Sequence, residues 1–248
     1  MGAPRIVRLA NPQLLAERAA DEFAASASAA QGGRGRFAVA LSGGKTPRAM
    51  LETLSTRGLD WPSIHFFWSD ERCVGPDDPN SNYGMARDAL LSKIAMPEGN
   101  IHRMPGELEP NAGAAAYIAE LRVFFGAGTP RFDLLFLGLG PDGHTASLFP
   151  RTTALDVVDS WCVANQVSGP VASPWRLTLT YPAINAARRV VFLVEGADKS
   201  DILANVLGNE KDVQRYPAQG IAPSDGELVW LVDSAAAAKL PPSSLTDE

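Results

Sequence analysis

One short stretch of the chain, from Asp133 to Pro150, limits the possible folds more than any other. It begins with Leu134 to Leu137, an apolar run without the alternation of polar and apolar residues that marks a half-exposed strand. Such a run is typical of a central strand in a parallel sheet that is covered on both faces. Glycines follow at positions 138, 140 and 143, which indicate that the strand ends in a loop. The sequence therefore predicts a buried parallel strand followed by a glycine-rich loop.

The rest of the chain alternates strand-like and helix-like segments joined by short loops. Further strands are predicted at 37–41, 63–68, 161–165, 175–180, 189–194 and 227–232, and helices at 14–30, 47–56, 83–94 and 112–125, with a last one ending at 207. The segment 175–180 alternates in polarity, which predicts a place near an edge or on a half-exposed face. This order predicts a three-layer α/β fold, a mostly parallel sheet with helices on both faces. We expect one domain over 1–240 and a flexible tail over 241–248.

Composition excludes several classes of protein. The chain has 248 residues, of which 46% are hydrophobic and 20% charged, and no apolar run approaches the roughly 20 residues of a membrane span. Its first residues lack the apolar core of a signal peptide, so we expect a cytoplasmic protein that does not bind membranes. The formal net charge of −6 argues against nonspecific nucleic-acid binding, which needs a basic surface. Cys73 and Cys162 lack metal-ligand spacing and are expected to be free thiols.

The glycine-rich loop after the central strand carries the best candidates for catalysis. Asp142 and His144 lie just beyond the carboxyl end of a strand, where open α/β sheets bind their ligands. Neutral imidazole is a natural general base near neutral pH, and we expect a short helix to follow it. Ser147 lacks the glycine pattern of a nucleophile elbow, so water is the expected nucleophile. The alternative is that Asp142 only stabilises the loop and His144 is a packed, hydrogen-bonded residue. Such a packing role rarely requires the backbone freedom that the surrounding glycines provide.

The chain contains three histidines in all. His65 lies inside a predicted strand, and His102 has no neighbouring glycine or carboxylate in the sequence, so we expect both to be structural. His144 is therefore the one histidine for which the sequence predicts chemistry.

A second candidate loop follows the strand at 37–41. It consists of Ser42, Gly43, Gly44, Lys45 and Thr46. We expect Thr46 to cap the next helix and Pro47 to take its first position, where a missing N–H group costs nothing. The free N–H groups of this turn and the helix dipole favour a bound phosphate or carboxylate, and Lys45 adds charge. The alternative is an ordinary strand-to-helix turn that needs its glycines only for their dihedral angles.

Three further cations lie in or directly after predicted strands. Arg72 suits bidentate capture of a phosphate, unless it forms a salt bridge with Asp70 or Glu71 and only shapes the loop. Lys199 lies in the first turn of a helix, where a cation opposes the helix dipole; this favours an anion-binding role over a solvated lysine. Arg176 lies within the strand at 175–180, and either face of that strand can carry its side chain.

Five segments, taken in order along the chain, resemble the 6-phosphogluconolactonase family of the glucosamine-6-phosphate isomerase/deaminase superfamily. They are Leu41–Pro47, Trp68–Arg72 with Ser81–Tyr83, Leu137–Pro150, Arg176–Thr180 and Val194–Lys199. The run Gly-Pro-Asp-Gly-His-Thr-Ala-Ser-Leu-Phe-Pro is the most specific of these motifs. The serine-glycine-glycine loop is shared across the superfamily.

This resemblance implies a Rossmann-like α/β fold and hydrolysis of 6-phosphogluconolactone to 6-phosphogluconate in the pentose phosphate pathway. It implies no cofactor or metal, a small phosphorylated sugar lactone as substrate, and a functional link to glucose-6-phosphate dehydrogenase. His144 would be the catalytic base and Asp142 its supporting acid. The implied substrate-binding residues are Ser42, Gly43, Gly44, Lys45, Thr46, Arg72, Gly140, Arg176 and Lys199.

Two other functions remain open on sequence grounds. An amino-sugar phosphate isomerase/deaminase uses the same scaffold, but that branch tends to carry Asp-Glu-Tyr where this chain has Asp70–Arg72. Release of ammonia from glucosamine 6-phosphate would favour it. A sugar-phosphate sensor would keep the anion site without chemistry, although such proteins usually carry a DNA-binding segment that this sequence does not display. Tight ligand binding without turnover would favour the sensor.

Overall fold

A seven-stranded sheet forms the centre of the molecule in a computed structural model that describes residues 4–168 and 173–247. The strands are β1 (Arg5–Leu9), β2 (Phe37–Leu41), β3 (Ile64–Trp68), β4 (Asp70–Arg72), β5 (Leu134–Gly138), β6 (Cys162–Gln166), β7 (Trp175–Leu179), β8 (Arg189–Val194), β9 (Glu227–Asp233) and β10 (Thr246–Asp247). The helices are α1 (Pro12–Arg34), α2 (Lys45–Leu54), α3 (Asn82–Ala89), α4 (Pro110–Phe125), α5 (Tyr181–Asn185) and α6 (Ser200–Leu207).

The strands of the seven-stranded sheet run parallel in the order β10-β1-β9-β8-β5-β2-β3. β5 lies between β8 and β2, and its residues 134–137 are fully buried, as the apolar run predicted. The predicted three-layer α/β fold is confirmed. Because the sheet is parallel, the loops that follow β2, β5 and β8 leave it at the same edge.

A second sheet, which is antiparallel and three-stranded, was not predicted from the sequence. Its order is β4-β7-β6. β4 was interpreted as a loop because a three-residue Asp-Glu-Arg segment has none of the β-branched or aromatic residues typical of strands. β7 is the middle strand, so the prediction of an edge or half-exposed position is wrong. Its alternation arises because Arg176 and Thr178 are polar side chains buried inside the protein.

The first two elements also differ from the prediction. α1 is longer at both ends: Asn11 Oδ1 accepts a hydrogen bond from Leu14 N at 2.9 Å, and Gly35 ends the helix with a φ of 72°. The helix therefore continues through Gly32 and Gly33, beyond the predicted end at residue 30. β1 was missed because Arg5 and Arg8 interrupt a short apolar pattern.

The carboxyl-terminal residues add a short strand to one edge of the main sheet. β10 pairs in parallel with β1, and Arg8 Nε donates to Asp247 Oδ1 at 2.7 Å. The flexibility of 241–248 and the single domain over 1–240 stay predictions.

Both cysteines are free thiols. Burial raises the pKa of Cys73 to about 11 and that of Cys162 to about 12, so little thiolate forms at neutral pH. Within residues 4–168 and 173–247, no helix is long and apolar enough to cross a membrane. The same residues contain no cluster of three or more histidine, cysteine or acidic side chains arranged to hold a metal ion.

His65 and His102 form a hydrogen-bonded pair beside the edge strand β3. His65 Nδ1 lies 3.1 Å from His102 Nε2, and His102 Nδ1 lies 2.6 Å from Glu120 Oε1. The ring of Phe67 stacks on His102 at a centroid distance of 4.3 Å, and Phe124 meets both imidazoles. Both histidines are thus packed and hydrogen-bonded, as expected.

This pair predicts that acid destabilises the fold. Burial, together with repulsion from His102 and Arg36, lowers the pKa of His65 from 6.5 to about 4. The unfolded chain takes up this proton near pH 6.5, whereas the folded chain resists it until about pH 4. The free energy of unfolding is therefore highest above pH 6.5 and decreases as the pH falls toward 4.

Thermal unfolding of the unchanged protein and of His65→Asn, each at about pH 7.5 and about pH 5, measures this contribution. We expect a smaller acid-induced loss of Tm in the variant, because asparagine takes up no proton. Carboxyl groups titrate equally in both proteins, so the difference between them reports on His65. Equal losses would contradict the prediction.

Candidate active site

Two adjoining cavities open at the carboxyl edge of the parallel sheet. The His144 cavity, of about 380 Å³, is lined by the predicted site residues Ser42, Gly43, Arg72, Gly140, His144 and Arg176. The Lys199 cavity, of about 440 Å³, is lined by the predicted site residues Gly43, Gly44, Lys45, Thr46 and Lys199. Gly43, Gly138 and Leu139 line both cavities, which therefore share a wall. Asp142 lines neither of these two cavities but contacts His144 directly.

Asp142 sets the orientation and tautomer of His144. Asp142 Oδ1 lies 3.1 Å from the backbone N of His144 and 2.6 Å from its Nδ1. Burial raises the pKa of Asp142, but the hydrogen bond from His144 and its charge outweigh burial and hold that pKa below its usual value. An ionised carboxylate only accepts, so Nδ1 carries the hydrogen. This leaves the lone pair of Nε2 for a ligand.

The segment after His144 is a tight turn, and the short helix predicted there is wrong. Thr145 and Leu148 form an antiparallel bridge, and Ala146 adopts a left-handed φ of 47°. In a helix, residues five apart point about 140° away from each other. Here the turn instead stacks Phe149 on the imidazole of His144, with ring centroids 4.0 Å apart and planes inclined by 25°.

Side-chain hydrogen bonds explain why this segment turns. Ser147 Oγ donates to Asp70 Oδ2 at 2.7 Å, and Ser147 N donates to Thr178 Oγ1 at 3.2 Å. The carbonyl of Ser147 accepts from Asn165 Nδ2 at 2.8 Å. These partners lie on β4, β7 and β6, so the second sheet competes with helix formation for the backbone and side chain of Ser147. Ser147 is thus a structural residue, which agrees with its rejection as a nucleophile.

Two glycines are required at the site by close contacts. The imidazole of His144 packs so closely on Gly140 that a Cβ at this position would overlap Nδ1. A Cβ at Gly43 would overlap the side-chain amide of Asn82. Any larger residue at either position would therefore displace a side chain that lines the His144 cavity.

Unpaired donors in the His144 cavity favour a bound anion. Arg176 is 8% exposed, and its Nη1 has no hydrogen-bond partner among the described residues. Burial and then repulsion from Arg72 lower the pKa of Arg176. Ser42 is 4% exposed, and its Oγ likewise has no described partner. Buried donors are normally satisfied, so these two groups are candidates for hydrogen bonds to a ligand.

Glu71 holds the backbone that carries Arg72. It is 2% exposed and accepts four hydrogen bonds of 2.7–3.0 Å. The donors are the backbone N–H groups of Arg72, Asn82 and Tyr83 and the hydroxyl of Ser81. The guanidinium of Arg72 donates to the carbonyl of Asn80. Among the described residues Arg72 forms no salt bridge with Asp70 or Glu71, so the ion pair of the alternative is absent, although the bond to Asn80 does tie Arg72 to the loop.

The Lys199 cavity lies at the amino terminus of α2. The helix begins at Lys45 with Gly44 as its N-cap, so the prediction that Thr46 caps it is wrong. Gly44 has a φ of 112°, which only glycine adopts readily and which starts the helix earlier. Lys45 Nζ lies 3.2 Å from Glu195 Oε1, and Lys199 Nζ lies 3.7 Å from Asp198 Oδ2. All four of these residues line the Lys199 cavity, and each lysine is paired with a carboxylate.

Sequence reasoning missed several residues of the His144 cavity. They are Asp70, Asn82, Ser147 and Phe149. Asp70 had been considered only as a salt-bridge partner of Arg72. All four lie inside the motifs that carry the family resemblance, and this position was the one signal in the sequence that could have identified them. Their roles depend on contacts between segments that are distant in the sequence.

Comparisons with known proteins agree with this architecture. The family model described as glucosamine-6-phosphate isomerases/6-phosphogluconolactonase matches residues 10–230. A 6-phosphogluconolactonase of Synechocystis is 46% identical over 244 residues, which cover 97% of this chain and 100% of that relative.

Two solved structures resemble the chain along nearly its whole length. The 6-phosphogluconolactonase from Trypanosoma brucei has a TM-score of 0.85 at 28% identity, covering 97% of this chain and 100% of that one. A monomeric glucosamine-6-phosphate deaminase has a TM-score of 0.80 at 19% identity, covering 95% and 99%, a likeness of fold alone. The match to the family model and the identity to the Synechocystis relative together establish that this chain belongs to the family of glucosamine-6-phosphate isomerases and 6-phosphogluconolactonases.

Proposed function

We propose that this protein hydrolyses 6-phospho-D-glucono-1,5-lactone to 6-phosphogluconate, the lactonase reaction of the pentose phosphate pathway. The observation that carries the proposal is the oriented imidazole of His144, with Nδ1 bound to Asp142 in a cavity that also contains two guanidinium groups. The names of the relatives that match most of the chain support the same reaction.

In the proposed mechanism, His144 activates water. A water molecule attacks the lactone carbonyl carbon while Nε2 of His144 takes one of its protons. The resulting imidazolium is stabilised by the carboxylate of Asp142. When the tetrahedral intermediate collapses, the bond between the carbonyl carbon and the ring oxygen breaks, and the imidazolium returns its proton to that oxygen. The products are an open-chain acid and a histidine ready for the next turnover.

The phosphate is proposed to bind where the two cavities meet, beside Gly43. The amino terminus of α2, with residues Ser42 to Thr46, offers backbone N–H groups and the positive end of the helix dipole. Lys199 supplies charge from the Lys199 cavity, and Arg72 and Arg176 supply it from the His144 cavity. The developing oxyanion is proposed to accept hydrogen bonds from loop N–H groups or from Arg72.

Two variants test the cations that flank the anion. Lys199→Ala and Arg72→Ala are each expected to raise KM for the phosphorylated lactone by about tenfold or more, because a hydrogen bond to a charged group contributes about 1.5–3 kcal/mol. Steady-state kinetics of each variant beside the unchanged protein measures the effect. An unchanged KM for both would contradict the proposed phosphate site. A loss of kcat alone in Arg72→Ala would assign that residue to the oxyanion.

The function itself is tested with lactone generated in situ by glucose-6-phosphate dehydrogenase. Loss of the lactone is followed with and without this protein, because the ring also opens spontaneously. Unphosphorylated gluconolactone is the matched control. Rapid loss of the phosphorylated lactone alone supports both the hydrolase and the anion site. No acceleration over background, with ammonia released from glucosamine 6-phosphate, would replace the proposal with the deaminase.

A further inference from the structure

We propose that Phe149 is a positioning residue that holds the imidazole of His144 in its reactive orientation, an inference that rests on the function proposed above. Phe149 lines the His144 cavity, and its ring lies nearly parallel to the imidazole at a centroid distance of 4.0 Å. No step of the proposed mechanism uses Phe149, so its role is to act through His144.

The other contacts of the imidazole leave one motion open. Asp142 holds the Nδ1 edge of the ring at 2.6 Å. Gly140 packs against one face of the ring, because a Cβ there would overlap Nδ1, Cε1 and Cγ together. The second side-chain torsion of histidine has a broad energy well, so the ring can still tilt away from Gly140. The flat face of Phe149 opposes that tilt and thereby fixes the direction of the Nε2 lone pair.

Phe149 can resist the tilt because the turn before it is itself held in place. Ala146 adopts a left-handed φ of 47°, a conformation that non-glycine residues keep only when their surroundings enforce it. The enforcing contacts are those of Ser147, which bonds to Asp70, Thr178 and Asn165. The aromatic ring is thus anchored to the antiparallel sheet and transmits that rigidity to His144.

The kinetic test replaces the ring and then restores it. Phe149→Leu is expected to lower kcat about 10- to 100-fold with KM within about twofold, because a small misplacement of a catalytic group reduces the rate while the anion contacts lie elsewhere. Phe149→Tyr keeps the aromatic face and should retain kcat. Phe125→Leu removes a ring of similar exposure in the distant cluster around Phe67, and it should leave both constants unchanged.

A spectroscopic measurement separates positioning from general stability. A ring stacked on the imidazole shields its C–H protons, so Phe149→Leu should shift the NMR signals of His144 downfield, whereas Phe125→Leu should not. Phe149→Met, which has similar volume and no aromatic face, repeats both tests if the leucine variant does not fold.

Three outcomes would overturn the proposal. The first is a folded Phe149→Leu variant whose His144 NMR signals do not shift. The second is a shift of those signals with an unchanged kcat. The third is a change in KM with an unchanged kcat. Failure of the proposed lactonase function would give a different result. The unchanged protein would then not accelerate lactone hydrolysis, whereas the NMR test would still report whether Phe149 stacks on His144.

Discussion

Replacing His144 by alanine is expected to lower kcat for hydrolysis of the phosphorylated lactone by about 10²–10⁴-fold, the usual contribution of general acid–base catalysis. KM should change little, because the groups proposed to hold the phosphate lie on other loops. The imidazole moves a proton both when water attacks and when the ring oxygen departs, so both steps lose their catalyst. Measurement of kcat and KM over the spontaneous rate checks this expectation.

His65→Asn is the matched control for that experiment. It removes another of the three histidines, but His65 lies on β3 and contacts His102 and not the cavity. It should keep normal kcat near neutral pH. A near-normal kcat in His144→Ala would remove His144 from the mechanism, whereas equal losses in both variants would point to a general effect on the fold.

Arg176→Met is expected to raise KM for the phosphorylated lactone by about 10- to 100-fold, because it removes a charge-assisted hydrogen bond from a buried site. The variant should also unfold at a higher temperature in the absence of ligand. Burial and the nearby charge of Arg72 both oppose the charged form of Arg176, and its Nη1 has no described partner. Methionine, which replaces only the aliphatic part of the arginine side chain, removes the charge and with it those costs.

Two controls make the Arg176 result specific. The slow residual hydrolysis of the unphosphorylated lactone, measured above its spontaneous opening, should be equal in the variant and the unchanged protein, because this lactone lacks the anion. Arg176→Lys keeps a charge but lacks the planar fork of donors. Its KM for the phosphorylated lactone should therefore lie between that of the unchanged protein and that of Arg176→Met. An equal loss for both lactones would assign Arg176 to the sugar or the oxyanion, and a lower Tm would contradict the predicted release of repulsion.

The sequence was informative wherever a local pattern determines the structure. β5 and β8 were predictable because apolar runs of this length are buried parallel strands, and their order along the chain then implied the fold. The loop after β5 was recognisable because its glycines interrupt that pattern beside Asp142 and His144.

The rest depends on contacts between residues far apart in the chain. The turn at Ala146 forms because Ser147 bonds to the antiparallel sheet, and a short charged strand such as β4 has no local signal of its own. The division of the site into two cavities, and the stacking of Phe149 on His144, likewise follow from the packing of separate loops. No pattern within a single segment contains that information.

The hydrogen bonds of Asp70 bear on the speed of substrate capture. Asp70 accepts from Ser147 Oγ, and its carbonyl accepts from Asn82 Nδ2 at 2.9 Å, while Asn82 packs against Gly43. Three loops are thereby fastened to one another before any ligand arrives, so little conformational entropy is lost on association. Because these loops are already joined, we expect diffusion and charge to set the association rate of the substrate rather than a rearrangement of these loops. Such a site suits a reactant that decays by itself, since the enzyme is useful only when encounter is faster than that decay.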